Sequence, residues 1–296
     1  MSIRSILRRI KKSRGFSRLR ETTRLKRIAP LVCDPGNLGR LAAEELHEMF
    51  TNRQLADEWL DVEKTLDESG GPQPASGVKA GGVKAGGVKA GGVNSGDQRA
   101  IYCLVRALRP RSILEIGTHV GSSTLGMALA AKRLAAAPEP VETTITTVDV
   151  HDVNHPVTGA WVKLGAEHSP AEMIDRIGAS RFVSFRRRDS LEFLRDETDA
   201  GRFDFIFLDG DHSAPAVYQE IPAALRRLNR PGFILLHDYF PTLRPLWSDG
   251  IVLYGPRLAV QKLQREGAAI RVLPLGELPW RTKLDCNVTS LALVGS

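Results

Sequence analysis

Between Ile101 and Val294 the chain switches repeatedly between two hydrophobic rhythms. Ile101, Leu104, Val105 and Leu108 stand at the i, i+3, i+4, i+7 spacing that lines one face of a helix. Ser112–Ile116 is a short apolar run of the kind a buried strand makes, and Leu125, Ala128 and Leu129 resume the helical spacing. Further strands are expected at Thr144–Val150, Phe182–Phe185, Phe203–Leu208, Phe233–Leu236, Ile270–Leu273 and Ser290–Val294. Between the last of the central strands, Val217, Ile221, Ala224, Leu225 and Leu228 mark another amphipathic helix. Pro256 opens one more, and Gly267 stands where a helix is capped. Strand and helix alternate, so the expected fold is α/β: a doubly wound, mostly parallel, seven-stranded sheet covered on both faces.

Ahead of this region the pattern changes. Residues 38–67 carry two helical faces, Leu46, Met49 and Phe50, then Ala56, Trp59 and Leu60. From Gly77 the chain reads GVKAG three times and then GVNSG, ending at Gly96. One valine in five residues offers little to a core, and two glycines in five make ordering costly. The segment is read as a flexible linker, with a lid over the neighbouring site as its functional variant. The expected organisation is a basic amphipathic tail (1–28), a helical segment (29–70), the glycine-rich linker (71–96) and the α/β domain (97–296).

Charge matters only once it is located. The 296 residues sum to +7, but residues 1–27 hold eleven Lys or Arg against Glu21 alone, which leaves −3 for residues 28–296. A nucleic-acid groove across the body of the protein is therefore not expected. In the tail, Ile3, Ile6, Leu7 and Ile10 keep helical spacing among basic residues. Such a helix either lies on an anionic membrane surface or packs its apolar stripe against this chain or a second copy of it. No apolar stretch approaches the roughly 20 residues that span a bilayer, and none resembles a signal segment. Cys33, Cys103 and Cys286 are odd in number and far apart. Together these predict a cytoplasmic protein, with peripheral contact at the inner membrane face if the tail binds lipid.

The polar residues of interest sit just after strands, where open parallel sheets bind ligands. "LEIGTHVGSST" follows the first strand with Glu115, Gly117, Thr118, Gly121, Ser122 and Ser123. His119 breaks the dinucleotide pattern GxGxxG, no Lys completes a P-loop, and Leu125 denies a GxSxG elbow around Ser123. Asp149 closes the second strand, and Asp189 and Ser190 follow the third. "FIFLDGDHS" ends the fourth with Asp209, Asp211 and His212, and "GFILLHDYF" ends the fifth with His237 and Asp238.

The acidic-x-Gly-x-x-x-Gly turn after a strand, followed by this order of polar strand ends, resembles the class I S-adenosylmethionine-dependent methyltransferases over about residues 97–240. The resemblance implies a Rossmann-like methyltransferase fold. It also implies that Glu115, Gly117, Thr118, Gly121, Ser122, Ser123, Asp149, Asp189, Ser190 and Asp209 bind S-adenosylmethionine. Within that class the pair "LDGDH…LLHDY" is similar to the metal-dependent O-methyltransferases of macrolide sugars. That similarity implies Mg2+ or another divalent ion held by Asp209, His237 and Asp238. It further implies a small-molecule, sugar or glycolipid acceptor. His237 departs from that group's oxygen ligands and suits Mn, Fe, Co or Zn better than Mg. His212 is placed as the base, with Asp211 orienting it or replacing it: an imidazole, with a reference pKa of about 6.5, suits the removal of a hydroxyl proton. Another enzyme on the same fold, acting on nitrogen or as a hydroxylase, and a non-catalytic membrane-associated module remain as alternatives.

Overall fold

The structure, a computed structural model, describes residues 14–68, 92–196, 198, 201–283 and 286–295. Among the described residues four helices come first: α1 (Arg14–Lys26), α2 (Ala43–Thr51), α3 (Arg53–Glu68) and α4 (Ser95–Leu108). The sheet and its crossovers follow as β1 (Ser112–Ile116), α5 (Ser122–Ala135), β2 (Thr144–Asp149), α6 (Ala160–Lys163), α7 (Pro170–Arg176), β3 (Val183–Arg187), α8 (Ser190–Arg195), β4 (Phe203–Leu208), α9 (Ala214–Arg226) and β5 (Leu228–Leu236). α10 (Gly255–Arg265), β6 (Arg271–Pro274) and β7 (Ala292–Gly295) complete it. Strand order is β3-β2-β1-β4-β5-β7-β6. The first five strands run parallel and β7 lies antiparallel between β5 and β6, as the expected mostly parallel sheet requires.

Why β4 reads as an unbroken apolar run is clear from its two faces. Phe205 and Phe207 enter one core with α2, α3, α4, α5 and α7, while Ile206 and Leu208 enter the other with α1, α8, α9 and α10. A strand covered on both sides has no polar face to show. Each of these side chains is essentially sealed from water, a burial that stabilises by roughly 1.5–3 kcal/mol apiece.

Three expectations are corrected. On α3 the buried face is Leu55, Trp59, Val62 and Leu66, and Leu60 is 63% exposed, because one step from Trp59 turns the side chain about 100° away from the core. Leu228 does not extend α9 but begins β5. The expected linker ends too late: Val93 and Asn94 are buried, and α4 starts at Ser95, with the Asn94 side chain accepting the Asp97 N–H at 2.9 Å. The rest of the repeat lies outside the described residues, as do Ile3, Ile6, Leu7 and Ile10 of the tail. The part of the tail that is described, α1, packs on α9 and α10, with Leu25 in the second core. Among the described residues no helix is long and apolar enough to cross a membrane.

Candidate active site

Backbone hydrogen bonds stitch the carboxyl ends of the parallel strands into one rim. Arg188 N–H donates to the Asp149 carbonyl, Gly117 N–H to Val148, Asp209 N–H to Ile116 and His237 N–H to Leu208, all at 2.8–3.1 Å. Strand order then places Asp189, Asp149, Gly117, Asp209 and Asp238 along it in sequence. At its centre Gly117 has φ +97°, and a Cβ there would stand 2.3 Å from the Asp209 carbonyl oxygen. Only glycine lets these two turns meet.

Glu115 is fully buried below this rim. Its oxygens accept hydrogen bonds from Ser123 Oγ, Thr124 Oγ1 and Thr147 Oγ1, each at 2.5 Å, and the Thr118 hydroxyl lies 2.6 Å from that of Thr147. Burial pushes its carboxyl up to about 7 despite these donors, with the Asp209 charge adding to the rise. Glu115 and Ser123 thus face each other inside the protein, whereas Thr118, Gly121 and Ser122 form the turn above them, Gly121 capping the start of α5. Asp149 stands at the rim, accepting His119 N–H at 3.0 Å and His151 N–H at 2.8 Å, one on each oxygen. One oxygen of Asp189 caps α8 through the N–H groups of Leu191 and Glu192. Ser190 donates to Glu220 Oε1 at 2.6 Å. Burial drives the carboxyl of Glu220 up to about 7, and the neighbouring charges of Asp211 and Asp189 push the same way.

Asp209, His212 and Asp238 present donor atoms within 4.8 Å of one another. His212 Nε2 lies 3.5 Å from Asp238 Oδ2 and 3.9 Å from Asp209 Oδ1. His237 sits behind them, with Nδ1 2.8 Å from Asp209 Oδ1 and Nε2 3.4 Å from Asp97 Oδ2. Neither ring nitrogen is aligned for a hydrogen bond, so these are charge contacts. Burial would lower the His237 pKa, but Asp209 and Asp238 outweigh it and hold the ring well above the usual imidazole range. Burial would raise the Asp238 carboxyl, yet the two imidazoles pull it down to about 2. Asp238 also has φ +53°, a conformation that aspartate tolerates better than most residues.

The structure therefore brings His212 into the donor group that the sequence reading completed with His237. Asp211 stands apart, exposed, with its oxygens taken by the Ser213 N–H and hydroxyl rather than by His212. Asp97 was missed. Fully buried and 2.7 Å from Asn94 Nδ2, it backs His237, and the Asn-x-x-Asp start of a helix was its signal, hidden in the last repeat copy. Glu220 was missed as well. Along with Asp211, His212 and His237 it lines a small pocket of about 10 Å³, a space of single-water size.

A five-strand parallel rim of this kind, with a glycine turn after β1 and acids after β2, β4 and β5, is the arrangement that the resemblance to class I methyltransferases implies. Residues 114–239 match the family model described as a methyltransferase domain. Two curated proteins are similar. A "probable caffeoyl-CoA O-methyltransferase 3" of Dictyostelium discoideum is 26% identical over 48% of this chain and 49% of its own length. Caffeoyl-CoA O-methyltransferase 1 of Zea mays is 27% identical over 51% of this chain and 49% of its own length. The chain thus spans about half the length of these relatives. Among solved structures, the O-methyltransferase TomG from Streptomyces achromogenes, in complex with SAM, aligns with a TM-score of 0.48 and 16% identity, covering 70% of this chain and 82% of that one.

Proposed function

We propose that the chain transfers the methyl group of S-adenosylmethionine to a hydroxyl of a small-molecule acceptor. The observation that carries this reading is the convergence of Asp209, His212 and Asp238 beside the Gly117 turn of a methyltransferase domain. A sulfonium methyl is already electrophilic. What the protein must do is align the acceptor oxygen behind it and remove the hydroxyl proton. In this reading Gly117, Thr118, Gly121 and Ser122 cradle the cofactor, with Glu115 and Ser123 holding that turn from beneath. Asp149 accepts one backbone N–H on each oxygen, leaving capacity on both for ribose hydroxyls. Asp189 and Ser190 flank the adenine.

Two carboxylates and an imidazole fit a divalent ion, and the imidazole favours Mn, Fe, Co or Zn over Mg. Asp209, His212 and Asp238 would hold it, and a bound ion lowers the pKa of a hydroxyl that reaches it. In this reading the protein without an ion uses His212 to take the acceptor's proton, supported by a side chain that is one-third exposed and faces both carboxylates. The rim loops expose Val150, Val157 and Ile251, which suits a sugar-bearing or lipid-linked acceptor with an apolar part. Of the two readings of the basic tail, the packing of α1 on α9 and α10 supports a helix held against this chain, and contact of residues 1–27 with an anionic membrane surface is the second reading.

The test is calorimetry with S-adenosylhomocysteine, followed by transfer of labelled methyl from S-adenosylmethionine to phenolic and sugar hydroxyls, with and without Mn2+ and with EDTA. Micromolar binding and label on oxygen are expected. A folded protein that does not bind S-adenosylhomocysteine would sink the reading.

A further inference from the structure

His212 lies on the turn that opens α9, and the far end of that turn is tied to the basic N-terminal helix. Ala214 N–H, the first of α9, donates to Glu21 Oε2 at 2.8 Å across 193 positions of sequence. Glu21 is 7% exposed, the acid of a stretch otherwise full of arginine and lysine. A buried carboxylate is costly unless bonded: Glu21 Oε1 faces the guanidinium groups of Arg20 and Arg24 at 3.5 and 3.9 Å, and Oε2 is left to accept the Ala214 N–H. The other early N–H groups are served locally, Ser213 by Asp211 and Ala216 by the Ser213 hydroxyl. Glu21 thus completes the capping of α9, where the helix dipole favours negative charge. Gly255 meets the same turn, since a Cβ there would stand 1.8 Å from the His212 carbonyl oxygen. The turn that carries His212 is thus met by α1 at Ala214 and by α10 at the His212 carbonyl.

We propose that Glu21 is a positioning residue for His212: by holding the start of α9 it fixes where the imidazole stands against Asp209 and Asp238. The purpose of that positioning rests on the function proposed above, whereas the geometry is independent of acceptor and ion. The experiment uses the full chain labelled with 13C-histidine, the His212 ring signal being assigned with His212→Gln. Glu21→Ala is expected to move that signal and to weaken binding of Mn2+ alone about tenfold. Glu21→Gln, whose amide oxygen accepts the same N–H, keeps both at the wild-type value. Leu25→Ala opens a cavity in the same helix and lowers the melting temperature without moving the His212 signal. Affinity for S-adenosylhomocysteine stays within about twofold in all three, because the cofactor turn is untouched. Should Glu21→Ala fail to fold, Glu21→Met fills the volume without an acceptor and is read the same way. A His212 signal unmoved by loss of the carboxylate, or moved equally by Leu25→Ala, overturns the proposal. If the wild type binds no S-adenosylhomocysteine, the proposed function fails, while the His212 signal still decides the role of Glu21.

Discussion

Acidic residues inside the sheet and at its rim are treated in opposite ways. Glu115, below the rim, is surrounded by three hydroxyl donors and raised to about 7, so it passes readily to the neutral form. Asp209 and Asp238, at the rim, face two imidazoles, and Asp238 is held near 2. A buried acid that only has to hold parts together is best served by neutral donors that satisfy it at any pH. Like charges kept side by side are stable only when a cation offsets them, whether imidazolium or metal. The lower acid therefore reads as architecture and the upper pair as a site prepared for positive charge.

The largest effect should come from breaking the contact between the two levels. Gly117→Ala sets a Cβ against the Asp209 carbonyl in a backbone conformation that favours glycine. Strain and overpacking should cost about 2–4 kcal/mol in urea unfolding, with loss of S-adenosylhomocysteine binding by calorimetry. Retained binding would mean that the two turns are not rigidly coupled. Next, Asp209→Asn removes a donor of the upper set and should weaken Mn2+ binding by about 100-fold or more, with cofactor affinity within several-fold; equal Mn2+ titrations would end the metal assignment.

The lower acid should show itself through pH. A carboxyl raised from about 4.5 to about 7 contributes stability that is complete below 4.5 and is lost as pH climbs through 7. For Glu115 the loss is of the order of 3 kcal/mol, and Glu220, raised to about 7 by burial, acts with the same sign. Glu115→Gln should therefore flatten part of the decline in urea midpoint between pH 5 and pH 8, the rest belonging to Glu220 and to His237, whose raised pKa acts with the same sign. An unchanged slope would place the titration elsewhere. The smallest effect belongs to Asp211, which is exposed and bonded to Ser213. Asp211→Ala should cost under about 1 kcal/mol and leave Mn2+ affinity within threefold. A larger loss would return it to the site.

Much of this was legible in the chain. β1 and β4 fall where their apolar runs predicted, because a strand covered on both faces must be apolar at every position. The turn at Gly117 was legible because its positive φ demands glycine, and the acids after β2, β4 and β5 because polar residues that end apolar strands stand out. Leu60 was not, since Trp59 and Leu60 are equally apolar, and only the packing of α3 on α4 and α5 chooses between neighbours. The repeat concealed Asn94 and Asp97, whose roles come from what they meet and not from their own pattern.

By itself, then, the sequence determined the element order, the parallel sheet and the rim where acids gather, because these follow from local periodicity and from turns between neighbours in the chain. The tertiary structure alone decided which histidine joins Asp209 and Asp238, that Glu115 points inward, and that Glu21 reaches across the molecule to cap α9. The deciding contacts, His212 with Asp238, Glu115 with Thr147 and Glu21 with Ala214, join residues tens to hundreds of positions apart. No local spacing encodes them; they arise when helices and strands pack and a buried charge must find its partner.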